Sequence, residues 1–316
     1  MLSRVADSIY WLNRYIERAE NVARFVDVNL KLMLDMPTNI VQQWDPLVAI
    51  TGDLPTFQER YGDATARNVI HFLTFDREYH NSIITCLQAA RQNARSVREI
   101  ISSEMWEQIN EFYLFVKDAP PDQSQAQIQD FFNQVKLYSH LFQGLMNATM
   151  AHNEGWHFGQ MGRLIERADK TSRILDVKYF ILLPSPEAVG STIDEIQWMA
   201  LLKSASAYEM YRKKAHRITP PGVAKFLLLD PEFPRSIYFS LLQMERSLHK
   251  ITGTPMGNWS NSVERQVGQL RSELEFVLID EIFQSGLHEF LDKLQQRLNG
   301  IGNSIYQDFC VLEAIA

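Results

Sequence analysis

Cysteine is nearly missing from this chain: Cys86 and Cys310 are the only two in 316 residues. That excludes a disulfide framework and points to reduced, buried thiols in a cytosolic protein. No apolar run approaches the ~20 residues a bilayer span needs, the longest being around Tyr179–Leu183. The opening MLSRVADSIYWLNRYIERAE carries charge every few residues, unlike a signal peptide or an anchor. Positive charge is not in excess either. A net charge of −7 argues against nonspecific nucleic-acid binding, which needs a concentrated basic surface. No phosphate-binding glycine loop occurs, since Gly300-Ile-Gly302 lies in a helix-like stretch without the strand such a loop requires. Alternating strand patterns are missing too. These absences leave a cytoplasmic, all-helical protein with no nucleic-acid or membrane partner.

What is present is a repeat. RYIERAENVARFVDV at 14–28 returns as RLIERADKTSRILDV at 163–177. Identical pairs are Arg14/Arg163, Ile16/Ile165, Glu17/Glu166, Arg18/Arg167, Ala19/Ala168, Arg24/Arg173, Asp27/Asp176 and Val28/Val177, with Glu20/Asp169 close behind. Chance would give roughly one match in such a window. VIHFLTFDREYHNSI at 69–83 is echoed by VAKFLLLDPEFPRSI at 223–237, and Trp44-x-x-Leu47 by Trp198-x-x-Leu201. The expected fold is therefore an all-α bundle of two pseudo-symmetric, tandem-duplicated halves, 1–150 and 151–316.

Apolar residues at Ile9, Leu12, Ile16, Ala19, Ala23, Val26, Leu30 and Met33 alternate in spacing between three and four, predicting one long helix packed along a seam. Phe158, Met161, Ile165, Ala168, Ser172, Leu175, Tyr179 and Leu182 repeat the pattern. The two repeated helices, about 3–35 and 152–183, are expected to meet at the centre. Further helices are expected at about 80–95, 97–116, 124–150, 191–214, 234–250, 260–277 and 282–311. Breaks are expected at 37–46, 52–62, 120–121, 184–186, 220–221 and 252–257, with Pro234 in a first helical turn.

Charge is what both copies keep. On a helical wheel Glu20, Asp27, Glu17 and Arg24 border the seam while Arg14 and Arg18 lie opposite, so both helices should be contacted on several sides. Arg14–Glu17, Glu17–Asn21, Glu20–Arg24 and Arg24–Asp27 have the spacing to pair locally; adjacent Glu17 and Arg18 point apart, so Arg18 must seek a carboxylate elsewhere. Two readings stay open. Arg14, Glu17, Arg18, Glu20, Arg24, Arg163, Glu166, Arg167, Asp169 and Arg173 form either a buried network fixing helix register, or a polar cleft for a ligand or partner loop.

MLSRVADSIYWLNRYIERAENVAR together with EGWHFGQMGRLIERADKTSR closely resembles the bacterial alpha-E domain family over the whole chain, read as one such domain, 1–316. The resemblance carries over Arg14, Glu17, Arg18 and Glu20, then Gly162, Arg163, Glu166, Arg167 and Asp169. It implies an all-helical protein whose genes sit beside, or are fused to, a circularly permuted ATP-grasp protein and a transglutaminase-like protein, a context of peptide or amide bond chemistry. One departure is visible: Tyr79-His80 stands where the pattern has Asn-Pro before Ser-Ile.

Other constellations have duller readings. Arg91, Arg95 and Arg98 at i, i+4 and i+7 are anion-binding candidates or a solvated face. His152-x-Glu154-x-x-His157 contains one Glu-x-x-His where a di-iron bundle needs two, so no metal or other cofactor is expected. The six tryptophans read as core. The function expected is a non-catalytic scaffold or partner subunit acting with the ATP-grasp ligase and the transglutaminase-like protein. The alternative is an enzyme with Glu17 or Glu166 as general base, or an amino-acid or peptide-binding protein using the same charged cluster.

Overall fold

A computed structural model describes residues 1–35, 44–121, 123–180 and 190–311. Among them 78% are helical and no strand occurs: the protein is all-α. The first helix, α1 (Ser3–Asp35), is followed by three short ones, α2 (Asp45–Ala49), α3 (Leu54–Tyr61) and α4 (Ala66–Thr74). Three longer helices come next: α5 (Ile83–Ser96), α6 (Ser103–Lys117) and α7 (Gln125–Thr149). Then come α8 (Glu154–Phe180), α9 (Thr192–Ser204), α10 (Tyr208–Lys214) and α11 (Pro220–Leu229). The chain continues through α12 (Ile237–Thr252), α13 (Ser262–Phe276), α14 (Ile279–Ser285) and α15 (Leu287–Ile305), with a π-helical turn at Tyr306–Cys310.

The two long repeated helices, α1 and α8, lie side by side at the centre. Ile9 meets Gly155, Asn13 meets Gly159, Tyr10 meets Gly162 and Glu17 meets Arg167, so the helices run parallel. Glycine permits this approach: a Cβ on Gly162 would sit 2.1 Å from the Tyr10 carbonyl oxygen. The seam residues Ile9, Leu12, Ile16, Ala19, Ala23 and Val26 are buried, as are Met161, Ile165, Ala168, Ser172 and Leu175. Helices α5, α7 and α9 also pack on α1, while α12, α15 and α9 pack on α8. Both repeated helices are thus contacted on several sides, as their wheels require. One apolar core draws on residues 9–150, and a second on 158–305 with Ala6 and Tyr10.

The sequence places most helices and misplaces some boundaries. The expected helix 191–214 is two, α9 and α10, broken where Ser206 takes a left-handed φ of 52°. The stretch 52–62, read as a break, holds α3, and Pro220–Pro221 starts α11 under a Thr219 cap instead of ending a helix. A missing N–H costs nothing in a first turn, which is why proline fits there. Pro234 lies in a turn before α12, whose cap is Ser236. The expected break at 184–186, residues 37–43 of the first break, and residues 181–183 of the second long helix lie outside the described residues.

Candidate functional site

Glu17 and Glu166 are wholly buried between α1 and α8, and Glu20 is wholly buried between α1, Ser139 and His140 of α7, and Arg235. An isolated ionised carboxylate could not stay there, so partners decide everything. Arg18 gives Nε to Glu166 Oε1 at 2.7 Å and Nη2 to Oε2 at 3.0 Å. Arg167 returns the same fork to Glu17, Nε to Oε1 and Nη2 to Oε2, both 2.8 Å. Each arginine crosses to the glutamate of the other helix, because its own neighbouring glutamate points away. Of the local pairs, Asn21–Glu17 and Arg24–Glu20 form. Arg14 goes across to Glu166 at 2.9 Å instead of to Glu17. Asp27 takes Lys31 and Lys136 in place of Arg24.

Two turns feed further side chains into this cluster. Before α5, Asp76 Oδ1 accepts from the backbone N–H groups of Glu78 and Tyr79 at 2.9 and 3.3 Å, and Ser82 Oγ donates to the Asp76 carbonyl. Before α12, Asp230 Oδ1 accepts from Glu232 and Phe233 at 2.9 and 2.8 Å, and Ser236 Oγ donates to the Asp230 carbonyl. Arg60 braces the first turn and Lys214 the second. The shared Asp, Glu and Ser of the second sequence echo are therefore turn-builders. Their product is the residue just before the serine. Asn81 Oδ1 accepts from Arg18 Nη1 at 2.7 Å, and Arg235 donates to Glu17 Oε1 at 3.3 Å, to Asn21 Oδ1 at 3.2 Å and to Glu20. The sequence reading missed both residues; their one signal was position beside a shared serine. Tyr79-His80 leaves the turn intact: Tyr79 stacks on Phe72 at 3.9 Å and its hydroxyl donates to Asp53.

Electrostatics follow from the geometry. Burial pushes the Glu17 carboxyl up, but Arg167 and Arg235 outweigh it and hold it below the usual range. Burial likewise opposes ionisation of Glu20 and Glu166, and arginines hold both far below that range. Asp169 is lowered against burial by Lys170 and Arg173. Around these four carboxylates stand Arg14, Arg18, Arg24, Arg163, Arg167, Lys170, Arg173 and Arg235, eight cations to four anions. Arg163 is the odd one: it reaches only Gln143 and Gln160, and its buried Nε has no partner among the described residues. Burial lowers its pKa, without removing the charge at neutral pH.

The remaining candidates lie elsewhere. Helix α5 ends at Ser96, so Arg98 lies past its end, yet Arg91 and Arg98 both come over the Trp106 ring, at 5.8 and 4.7 Å. Arg95 is exposed. His152 stacks on Trp156, and no group of three or more potential ligands that could hold a metal occurs among the described residues. Cys86 is buried and Cys310 half-buried; burial pushes both thiols up to about 12. Trp259, expected in the core, is 61% exposed against Arg265. A surface concavity of about 680 Å³ between α6 and α7, against Phe115 and Phe131, has no part in the cluster.

Residues 1–310 match a family model described as Alpha-E, a predicted alpha-helical domain with a conserved ER motif. The chain belongs to the Alpha-E family. Glu17-Arg18 and Glu166-Arg167 are the ER dipeptides on the two central helices. Uncharacterized proteins of Mycobacterium bovis and Mycobacterium tuberculosis are each 23% identical over 98% of this chain. This Alpha-E chain spans 36% of their length. No solved structure matches it. No described helix is long and apolar enough to cross a membrane.

Proposed function

We propose that this Alpha-E protein is a non-catalytic helical partner subunit that works in the cytoplasm with a circularly permuted ATP-grasp ligase and a transglutaminase-like protein, in making or modifying peptide or amide bonds. One observation carries the non-catalytic part: the buried glutamates are consumed by arginine forks. A general base needs a free carboxylate poised near the working pH. Glu17 and Glu166 have neither an open lone pair facing solvent nor a raised pKa. Such a network holds two helices in one register, as a rigid docking platform requires. The named partners rest on the family resemblance alone. The greater length of the mycobacterial relatives agrees with an Alpha-E unit that works joined to other chains.

The same reading takes the two halves as products of tandem duplication. Its support is position: Arg60 and Lys214 brace matching turns, Gly52 and Ser206 share positive φ, and the ER forks are reciprocal.

The test is a pull-down from the native host followed by ATP-dependent ligation assays with and without this chain. Co-purification of a ligase whose activity depends on the chain is the expected result. Amide or peptide chemistry by the purified chain alone, lost in Glu17→Gln or Glu166→Gln at unchanged fold, would overturn it.

A further inference from the structure

The two flanks of the α1–α8 pair are built from matching parts but filled differently. On one flank, Arg235 projects from its turn and plugs the space against Glu17, Glu20 and Asn21. On the other, the turn offers short Asn81, and the cation comes from the helix instead, as Lys170, 3.0 Å from Asp169 and 3.5 Å from Glu166. Asn81 matches Arg235 and Lys170 lies where Asn21 does, so each flank has one cation and one asparagine with their places exchanged. The exchange leaves a cavity of about 30 Å³ beside Arg18, Lys170, Arg173, Asn81, Thr51 and Tyr79. A second cavity, about 40 Å³, shares the wall formed by Phe25, Ile50 and Ile174, and runs on against Leu32, Leu47 and Leu201.

We propose that these two chambers form a binding site for a carboxylate bearing an apolar chain, such as an aliphatic acid or a peptide ending in an aliphatic residue. Three cations, Arg18, Lys170 and Arg173, line the head chamber and are held by two carboxylates, Glu166 and Asp169, leaving it short of negative charge. The two acids fix the cations without using them up. Arg173 spends Nε on Asp169 and Nη1 on the Ile50 carbonyl, and its Nη2 has no acceptor among the described hydrogen bonds. Arg18 forks onto Glu166 and Asn81, with one N–H left on each terminal nitrogen. Pre-set guanidinium N–H groups suit a planar carboxylate. The head chamber is small, about 30 Å³, and a flat carboxylate fits such a space better than a bulkier tetrahedral phosphate. The adjoining chamber is mostly apolar, with Asn29, Lys178, Gln197 and Ser204 among its walls, and suits a short hydrocarbon chain. The side chains of Lys170 and Arg173 are 17 and 20% exposed, so solvent reaches the cations that line the head chamber.

The test is calorimetric and saturation-transfer NMR titration of the full chain with 4-methylpentanoate, 4-methylpentanamide and inorganic phosphate. The expected order is carboxylate bound, with amide and phosphate each about tenfold weaker or worse, because the charged hydrogen bonds are lost or misfit. The double variant Asn81→Arg with Lys170→Asn copies the plugged flank at constant charge, and should keep its fold by circular dichroism while losing carboxylate binding. Thr51→Leu crowds the head chamber without touching a charge, and gives the same loss should the double variant fail to fold. No binding of 4-methylpentanoate, which would leave water alone in the chambers, overturns the inference. So does amide or phosphate binding as tight as the carboxylate, or full binding by a folded double variant or by Thr51→Leu.

Discussion

Arg167 and Glu17 meet across the α1–α8 interface in a two-point fork, each nitrogen-to-oxygen distance 2.8 Å, and Arg18 and Glu166 repeat it in the opposite direction. A fork fixes angle as well as distance. Two opposed forks therefore leave little freedom for one helix to slide along or rotate against the other.

Removing one partner of such a pair leaves a buried charge unmatched. Glu17→Gln and Glu166→Gln are each expected to cost about 3–5 kcal/mol, read as a marked fall in Tm by calorimetry. Glu78→Gln serves as control, its carboxylate being 83% exposed beside Arg60, and should cost about 0–1 kcal/mol. An unchanged Tm in the Glu17 and Glu166 variants would remove the architectural role.

Backbone contact makes a separate prediction. Gly162→Ala places a methyl 2.1 Å from the Tyr10 carbonyl oxygen, a backbone atom that cannot step aside unless the helices part. A loss of roughly 3 kcal/mol or more is expected from overpacking. Gly144→Ala, on α7 with open space at its Cβ, should instead gain up to about 1 kcal/mol through helix propensity. Urea titrations of both variants decide the matter.

Acid should undo the network with a defined sign. Glu17, Glu20, Glu166 and Asp169 all have folded pKa values below their unfolded ones. The unfolded chain then takes up protons first as pH falls, so their stabilisation is complete above the usual carboxylate range, about pH 4–4.5, and fades below it. Asp7 and Asp176, raised by burial, act in the opposite sense and soften the slope. Tm measured from pH 7 to pH 3 should fall most steeply below about pH 4.5, and less steeply in Glu17→Gln.

Both thiols are pushed up to about 12, Cys86 by burial and Cys310 by burial and Asp7, so neither holds an appreciable thiolate fraction at pH 8. A disulfide reagent such as dithionitrobenzoate should label the native protein slowly and the urea-unfolded protein fast. Rapid native labelling of Cys86 would show that the region around Arg18 opens.

Much was legible beforehand because periodicity and charge are local properties. Alternating three- and four-residue spacing can bury one side only as a helix, so α1 and most of α8 could be read directly. Arg18 had to leave its own helix for a carboxylate, because adjacent side chains diverge. Short helices escaped: α3 lies in a stretch flanked by Gly52 and Gly62, and α11 opens on two prolines. Ser206 split an otherwise continuous pattern, since a left-handed φ in serine has no sequence mark.

The sequence by itself determined that this chain is helical, that two similar charged helices recur, and that their arginines must find acids beyond their own neighbours. Only the tertiary structure decided which acid each arginine takes, that α1 and α8 run parallel, and that Arg235 fills one flank while Asn81 leaves the other hollow. Pairing between positions some 150 residues apart depends on how turns deliver side chains in space. Spacing along a single helix carries no record of that.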